Sequence, residues 1–197
     1  MNQYLRFTRN TVITAALLFS IGSPLNGQEP KWIQTPDVVY VGTAYDLVSK
    51  MLEMAQVKKE DLVVDLGCGD ARMLVLAAQK YGSHGIGYDI DPDMVRASRK
   101  NVEENNVENL VKIIQADIFT VDISEADVIP GYLLPEMNLK LLPQLETLKP
   151  GSRLVFHNYD IEGIIPDETV EVISNEDNSS HTLFLYTTPL KNFAWTC

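Results

Sequence analysis

The stretch Val63-Val64-Asp65-Leu66-Gly67-Cys68-Gly69-Asp70-Ala71-Arg72 decides the fold. An apolar strand ends in a carboxylate, a glycine turn follows, and a helix begins. Gly67 and Gly69 let the backbone bend tightly and approach a ligand closely. The helix from Ala71 turns free backbone N–H groups toward the same place. A second apolar run, Gly85-Ile86-Gly87-Tyr88-Asp89, ends in another acid. Two such acids at successive strand ends read as a nucleoside-binding site at the carboxyl edge of a parallel sheet.

Outward from this centre, hydrophobic spacing sets the remaining elements. Leu47, Val48, Met51, Leu52 and Ala55 fall at helical spacing, which predicts a helix near Ala44–Gln56. Strands are predicted at Asp61–Asp65, His84–Asp89, Leu110–Gln115, Ala126–Ile129 and Arg153–Asn158. Helices are predicted at Ala71–Tyr81, from Asp91-Pro92 to about Asn105, and at Pro135–Thr147. The period then changes. Val170–Ser174 and Leu183–Thr188 read as a hairpin whose polar connection, 175–180, reads as a solvated loop. The expected fold class is therefore α/β: a Rossmann-like, doubly wound, seven-stranded sheet. It is mostly parallel, with five β/α steps and an antiparallel strand from the C-terminal hairpin. A short loop, Tyr159–Glu168, stands where a helix between the fifth and sixth strands is usual.

The chain has 197 residues, 45% hydrophobic and 22% charged, with a formal net charge of −11. That suits one globular domain plus a short extension. The acidic balance argues against holding DNA or RNA by its phosphates. Residues 1–27 differ from the rest. Arg6 and Arg9 precede the apolar run 11–22, and Ser23-Pro24-Leu25-Asn26-Gly27 closes it. This is a secretory signal pattern, and the run is short against the ~20 residues of a membrane span. The expectation is an exported or membrane-anchored protein, favoured over a misassigned start codon. Residues 28–37 then form a linker and 38–197 the folded domain. Cys68 and Cys197 are no disulfide framework and are expected at opposite edges of the sheet, without a bridge. The three histidines and two cysteines are scattered, so no metal site is expected.

The acid in the glycine loop selects the ligand. Asp70 is poorly suited to a diphosphate, and the third glycine of a dinucleotide loop is missing, which argues against a nicotinamide dehydrogenase. A cationic ligand fits better. S-adenosyl-L-methionine carries a sulfonium and an amino group, with which Asp65 or Asp70 can pair. Asp89 can accept from both ribose hydroxyls. Asp117, after the third strand in Gln115-Ala116-Asp117-Ile118-Phe119, can accept from an adenine amino group while Ile118 and Phe119 cover the ring. The alternative for Asp117 is a turn acid.

These segments together resemble the seven-strand S-adenosylmethionine-dependent methyltransferases over about residues 38–189. Tyr40-Val41-Gly42-Thr43 is similar to the Tyr-Val-Pro-Thr segment of one subgroup. Tyr132-Leu133-Leu134-Pro135-Glu136-Met137-Asn138 resembles its Tyr-Leu-Leu-Pro-Glu-Val-Asn segment. This subgroup comprises small bacterial enzymes related to the lysine methyltransferase of the ATP-synthase c-subunit, and its Pro-Glu pair is also similar to seven-strand histone-lysine methyltransferases. The chain departs from the pattern at Ala71, where relatives carry glycine, and at Ile129-Pro130-Gly131, where Pro130 removes a backbone donor beside the acceptor site. The resemblance implies cofactor contacts at Tyr40, Thr43, Asp65, Gly67, Cys68, Gly69, Asp70, Asp89, Ile90, Asp117 and Ile118.

Methyl transfer from a sulfonium needs alignment above all. A lysine acceptor must also lose a proton before attack, which calls for a base or a dry pocket. Candidates after strands four and five are Tyr132, Glu136, Asn138 and His157. Tyr132 and Asn138 are expected to line an acceptor channel. Glu136 either attracts an ammonium or opens its helix with a favourable charge. His157 either faces the crevice or is a hydrogen-bonded structural histidine. His84 and His181 read as strand-edge residues without partners. The resulting expectation is an N-methyltransferase acting on protein lysine, the lysine resting on the resemblance. The alternatives are a small-molecule methyltransferase of the same fold and a non-catalytic cofactor-binding module.

Overall fold

The computed structural model describes residues 40–192. The leader, the linker and Cys197, with the expectations attached to them, lie outside the described residues.

Helix α1 (Tyr45–Met54) precedes strand β1 (Leu62–Leu66); α2 (Arg72–Tyr81), β2 (His84–Asp89), α3 (Pro92–Glu104) and β3 (Val111–Gln115) follow. Then come β4 (Val128–Gly131), α4 (Pro135–Leu145), β5 (Arg153–His157), β6 (Ile164–Ile165), β7 (Glu168–Ile173), β8 (Ser180–Thr187) and β9 (Lys191–Asn192). The main sheet has seven strands in the order β3-β2-β1-β4-β5-β8-β7. Strands β1 to β5 are parallel, and β8 runs antiparallel between β5 and β7. The order reverses between β1 and β4, so the loops after β1, β2 and β4 open onto one crevice at the carboxyl edge.

Local chemistry explains the boundaries. Asp91 caps α3 by accepting the Asp93 N–H at 2.8 Å, and Pro92 occupies the first helical position. Gly82 ends α2 in the left-handed conformation, its N–H on the Ala78 carbonyl. Strands β1 and β5 are nearly continuous apolar runs because both faces are buried.

Successive strand residues feed two separate cores. Val63, Val128 and Val155 face α1, α2 and α3 with Met51, Leu52, Leu74 and Val95. Val64, Ile129, Leu154 and Phe156 face α4 with Leu141 and Leu145. The coverage is uneven, and here two expectations are corrected. No helix joins β3 to β4, so the chain does not make five full β/α steps. Residues 116–127 run through turns, and Ile118 and Ile123 cap the second core. The segment after β5 is more than a loop, because β6 pairs with β9 in a small antiparallel ladder and seats Ile161 and Ile164 on the same core.

Pro130 sits in a central strand. Four residues of β4 pair with β5, whereas the β1 ladder registers only at Val63↔Val128. A residue without an N–H cannot extend that ladder.

Candidate active site

Every step toward the site starts at the glycine turn. Gly67 and Gly69 take φ values of +79° and +53°. The ring of Tyr40 lies so close over Gly69 that an added Cβ would stand 2.1 Å from it. Gly69 is thus the floor under Tyr40, beneath the cavity wall, and its N–H is held by Asp89 Oδ2 at 2.9 Å. Ala71, at the N-cap of α2, is also left-handed at φ 62° and is fully buried. A side chain in that region costs about 1–2 kcal/mol, which explains why glycine is the expected residue there.

A cavity of about 320 Å³ opens at this edge. Of the residues expected to hold the cofactor, Tyr40, Thr43, Asp65, Gly67, Cys68, Asp70, Asp89, Ile90, Asp117 and Ile118 line it. Phe119, Met94 and Met137 add apolar wall.

The three carboxylates around the turn are not equivalent. Asp70 is already paired. Its oxygens accept from Arg72 Nε at 2.9 Å and Nη2 at 2.7 Å. Burial works against the charge, but the hydrogen bonds from Arg72 and Tyr40 outweigh it and hold Asp70 below the usual carboxylate range. Asp70 is therefore not free to meet a ligand cation, whereas Asp65 has no such cationic partner among the described residues. Asp65 is only 4% exposed. Burial, then repulsion from Asp89 and Asp70, pushes its carboxyl up to about 8. Asp89 is raised chiefly by burial, against backbone N–H groups from Asp91 and Gly69. Asp117 accepts the Phe119 N–H at 2.9 Å, so it is a turn acid and a wall residue at once.

Arg72, a residue to which the sequence pattern alone assigns no role in the site, organises this region. Besides gripping Asp70, its Nη1 donates to the Thr43 carbonyl at 2.9 Å, and its guanidinium stands 5.1 Å from the Tyr45 ring and 5.9 Å from the Tyr40 ring. It ties the segment before α1 to the loop after β1.

The expected acceptor residues separate. Tyr132 lines the cavity, with Tyr159 stacked on it at 6.0 Å and 15° between planes. Glu136 is exposed in the first turn of α4 and does not line the cavity; its charge suits the helix N-terminus. Asn138 is fully buried instead of lining a channel. Its Nδ2 donates to the carbonyls of Tyr159 and Asp160 at 3.3 and 3.2 Å, and so fixes the loop that carries Tyr159. His157 is 2% exposed and stands behind the wall, its ring 4.1 Å from that of Tyr132. Its Nδ1 faces Thr43 Oγ1 at 3.2 Å and its Nε2 faces His181 Nδ1 at 2.9 Å.

His181 thus has partners, contrary to the sequence expectation; its Nε2 also meets Asp177 Oδ2 at 3.0 Å. The 175–180 connection is correspondingly not a merely solvated loop. Glu176 Oε1 accepts the N–H groups of Tyr45 at 2.7 Å and Asp46 at 3.3 Å, and Asp46 in turn accepts from Ser174 and Asn175. The loop supplies the cap that Ala44 cannot. No spacing rule joins residues so far apart in sequence, and only the acid-rich turn hinted at it. Cys68 is a buried free thiol. Among the described residues, no three histidines, cysteines or acids could hold a metal ion together.

Comparison with known proteins agrees with this geometry. Residues 65–168 match the model of the ANTKMT methyltransferase domain. A protein-lysine N-methyltransferase of Saccharolobus islandicus is 40% identical over 153 residues, 77% of this chain and 94% of that protein. The lysine N-methyltransferase of the ATP-synthase c-subunit from Xenopus laevis is 26% identical over 78% of this chain and 66% of its own length. A crystal structure described as an RNA methyltransferase from Salinibacter ruber, in complex with S-adenosyl-L-homocysteine, is 43% identical. It superposes with a TM-score of 0.71 over 76% of this chain and 94% of that one. The chain belongs to the ANTKMT methyltransferase domain family and is an S-adenosyl-L-methionine-dependent methyltransferase.

Proposed function

We propose that the protein is a protein-lysine N-methyltransferase. One observation carries the reading: the wall formed by Tyr132 and Tyr159, with Thr43 beside it, adjoins the acid-lined part of the same cavity. Aromatic faces attract an ammonium. The approach is through an open crevice, which admits a side chain carried on a protein. The lysine relatives from Saccharolobus islandicus and Xenopus laevis support the same acceptor.

Asp65, with no cation among the described residues to lower it, fits the cationic part of S-adenosyl-L-methionine, and Asp89 and Asp117 fit its ribose and adenine. The cofactor supplies an electrophilic methyl group. The residues of this chain bind it, align the acceptor, and keep water out with Met94, Ile118, Phe119 and Met137.

The Salinibacter ruber relative makes RNA the competing acceptor class, which the net charge of −11 opposes. Labelled methyl transfer is measured from the cofactor to poly-L-lysine and to bulk RNA in parallel. Incorporation into poly-L-lysine alone is expected; incorporation into RNA alone sinks the reading. The basic and apolar segment 1–22 supports export or anchoring. Alkaline phosphatase fused after residue 37 should be active in intact cells, and activity only after lysis overturns this.

A further inference from the structure

Four side chains from three distant segments form an unbroken chain that begins at the cavity wall and ends at the surface: Thr43, His157, His181 and Asp177. The contacts are 3.2, 2.9 and 3.0 Å. With both imidazoles neutral, one set of proton positions satisfies every link. The exposed Asp177 carboxylate accepts, so His181 carries its proton on Nε2 and offers Nδ1 as acceptor. His157 then donates from Nε2, which leaves its Nδ1 to accept from the Thr43 hydroxyl. The lone pairs of Thr43 Oγ1 stay available at the wall. Asn158 Nδ2, 3.3 Å from His181 Nδ1, is a second donor to the same atom and enforces the same tautomer.

We propose that Thr43–His157–His181–Asp177 is the proton outlet of the methyl-acceptor site. The inference rests on the N-methyltransferase reading, in which an acceptor ammonium must shed one proton per methyl gained. The acceptor N–H bond breaks and its electron pair stays on nitrogen. Thr43 Oγ1 takes that proton as its own passes to His157 Nδ1. The Nε2 proton of His157 moves to His181 Nδ1, and the Nε2 proton of His181 moves to Asp177 and then to water. Thr43 is the group that touches the acceptor; His157, His181 and Asp177 act through it as positioning residues.

Two further features suit the role. Burial, then the neighbouring His181, pushes His157 down to about 4 against the opposing pull of Asp177, which keeps the ring neutral and able to both donate and accept. The outer end is held in place: Glu176 and Asp46 fasten the 174–180 turn to the start of α1, two residues from Thr43. The titratable and charged groups facing the pair are Asp177 from the turn and Tyr132 from the β4 end, with Asp46 and Glu176 just beyond.

The test uses the full chain with S-adenosyl-L-methionine and poly-L-lysine, together with imidazole nitrogen NMR, which needs no acceptor. NMR should show both His157 and His181 as Nε2–H tautomers. His181→Gln should lower kcat at least about tenfold and change its pH profile, while cofactor Kd by calorimetry stays within twofold. Added imidazole should restore part of the rate in His181→Gly. An unchanged kcat in a folded His181→Gln protein overturns the outlet and leaves the lysine reading standing, as does an Nδ1–H tautomer at His157. A wild-type protein that binds cofactor but methylates no lysine fails the parent reading instead, and the outlet falls with it.

Discussion

At the amino edge of the sheet, aspartates meet cations. Asp61 bonds Arg153 Nη2 at 2.9 Å, and Asp127 bonds Lys149 Nζ at 2.8 Å while accepting the Leu62 N–H. Burial opposes the Asp127 charge, yet Lys149 and that N–H hold it below the usual range. At the carboxyl edge, Asp65 and Asp89 sit at the ends of neighbouring parallel strands, with no cation among the described residues to lower them. Identical side chains serve opposite ends. Below, compensated charge holds strands and helices together. Above, crowded carboxyls sit where a cationic ligand would relieve their repulsion, and ionising them there opposes folding.

That contrast is breakable. Replacing one partner of the Arg153–Asp61 pair leaves a largely buried charge alone, so Arg153→Met should cost about 3 kcal/mol in urea unfolding. Cofactor affinity should be unchanged, since the pair lies at the other end of β1 and β5. Asp65→Asn should do the reverse. Affinity should fall about a hundredfold, ~3 kcal/mol, while the free protein gains about 4 kcal/mol at pH 7. Equal losses in both variants on both readouts would erase the distinction between the edges.

The sign of the pH effect sharpens it. The folded carboxyl of Asp65 is raised to about 8, well above an ordinary unfolded aspartate near 3.9. Its contribution to the stability of the free protein is fully present below about pH 4 and is lost progressively as pH rises to 8. The gain from Asp65→Asn should therefore shrink toward zero at pH 4. Cofactor binding favours the carboxylate, so affinity should rise between pH 6 and 8, approaching tenfold per unit, and level off above. A flat calorimetric profile would contradict this.

The smallest effect concerns the turn between the edges. Ala71→Gly relieves a left-handed alanine at the cost of a floppier unfolded chain. A net gain of about 0.5–1 kcal/mol is expected by thermal unfolding. A loss would mean that the methyl group, fully buried in the first core, outweighs the strain.

Much of this was legible in the chain. The alternation of apolar runs and the glycine turn specify the strand–turn–helix unit at β1, because burial on both faces and a tight bend are local demands. The acids at strand ends marked the cavity, since topology alone brings strand ends together. Arg72, Asn138 and His181 were not legible. Arg72 acts by gripping Asp70 and the Thr43 carbonyl, Asn138 by pinning the 159–160 loop, and His181 by meeting a residue on the neighbouring strand. None of these has a spacing signature.

The sequence by itself therefore determined the parallel α/β order and the cofactor class, which depend on short-range pattern and on charges at predictable strand ends, and its motifs carried the resemblance to the family. The tertiary structure alone decided which carboxylate stays free, because that depends on where Arg72 reaches. It alone joined Thr43, His157, His181 and Asp177, because a hydrogen bond across 114 positions follows from the packing of segments and not from anything local to either residue.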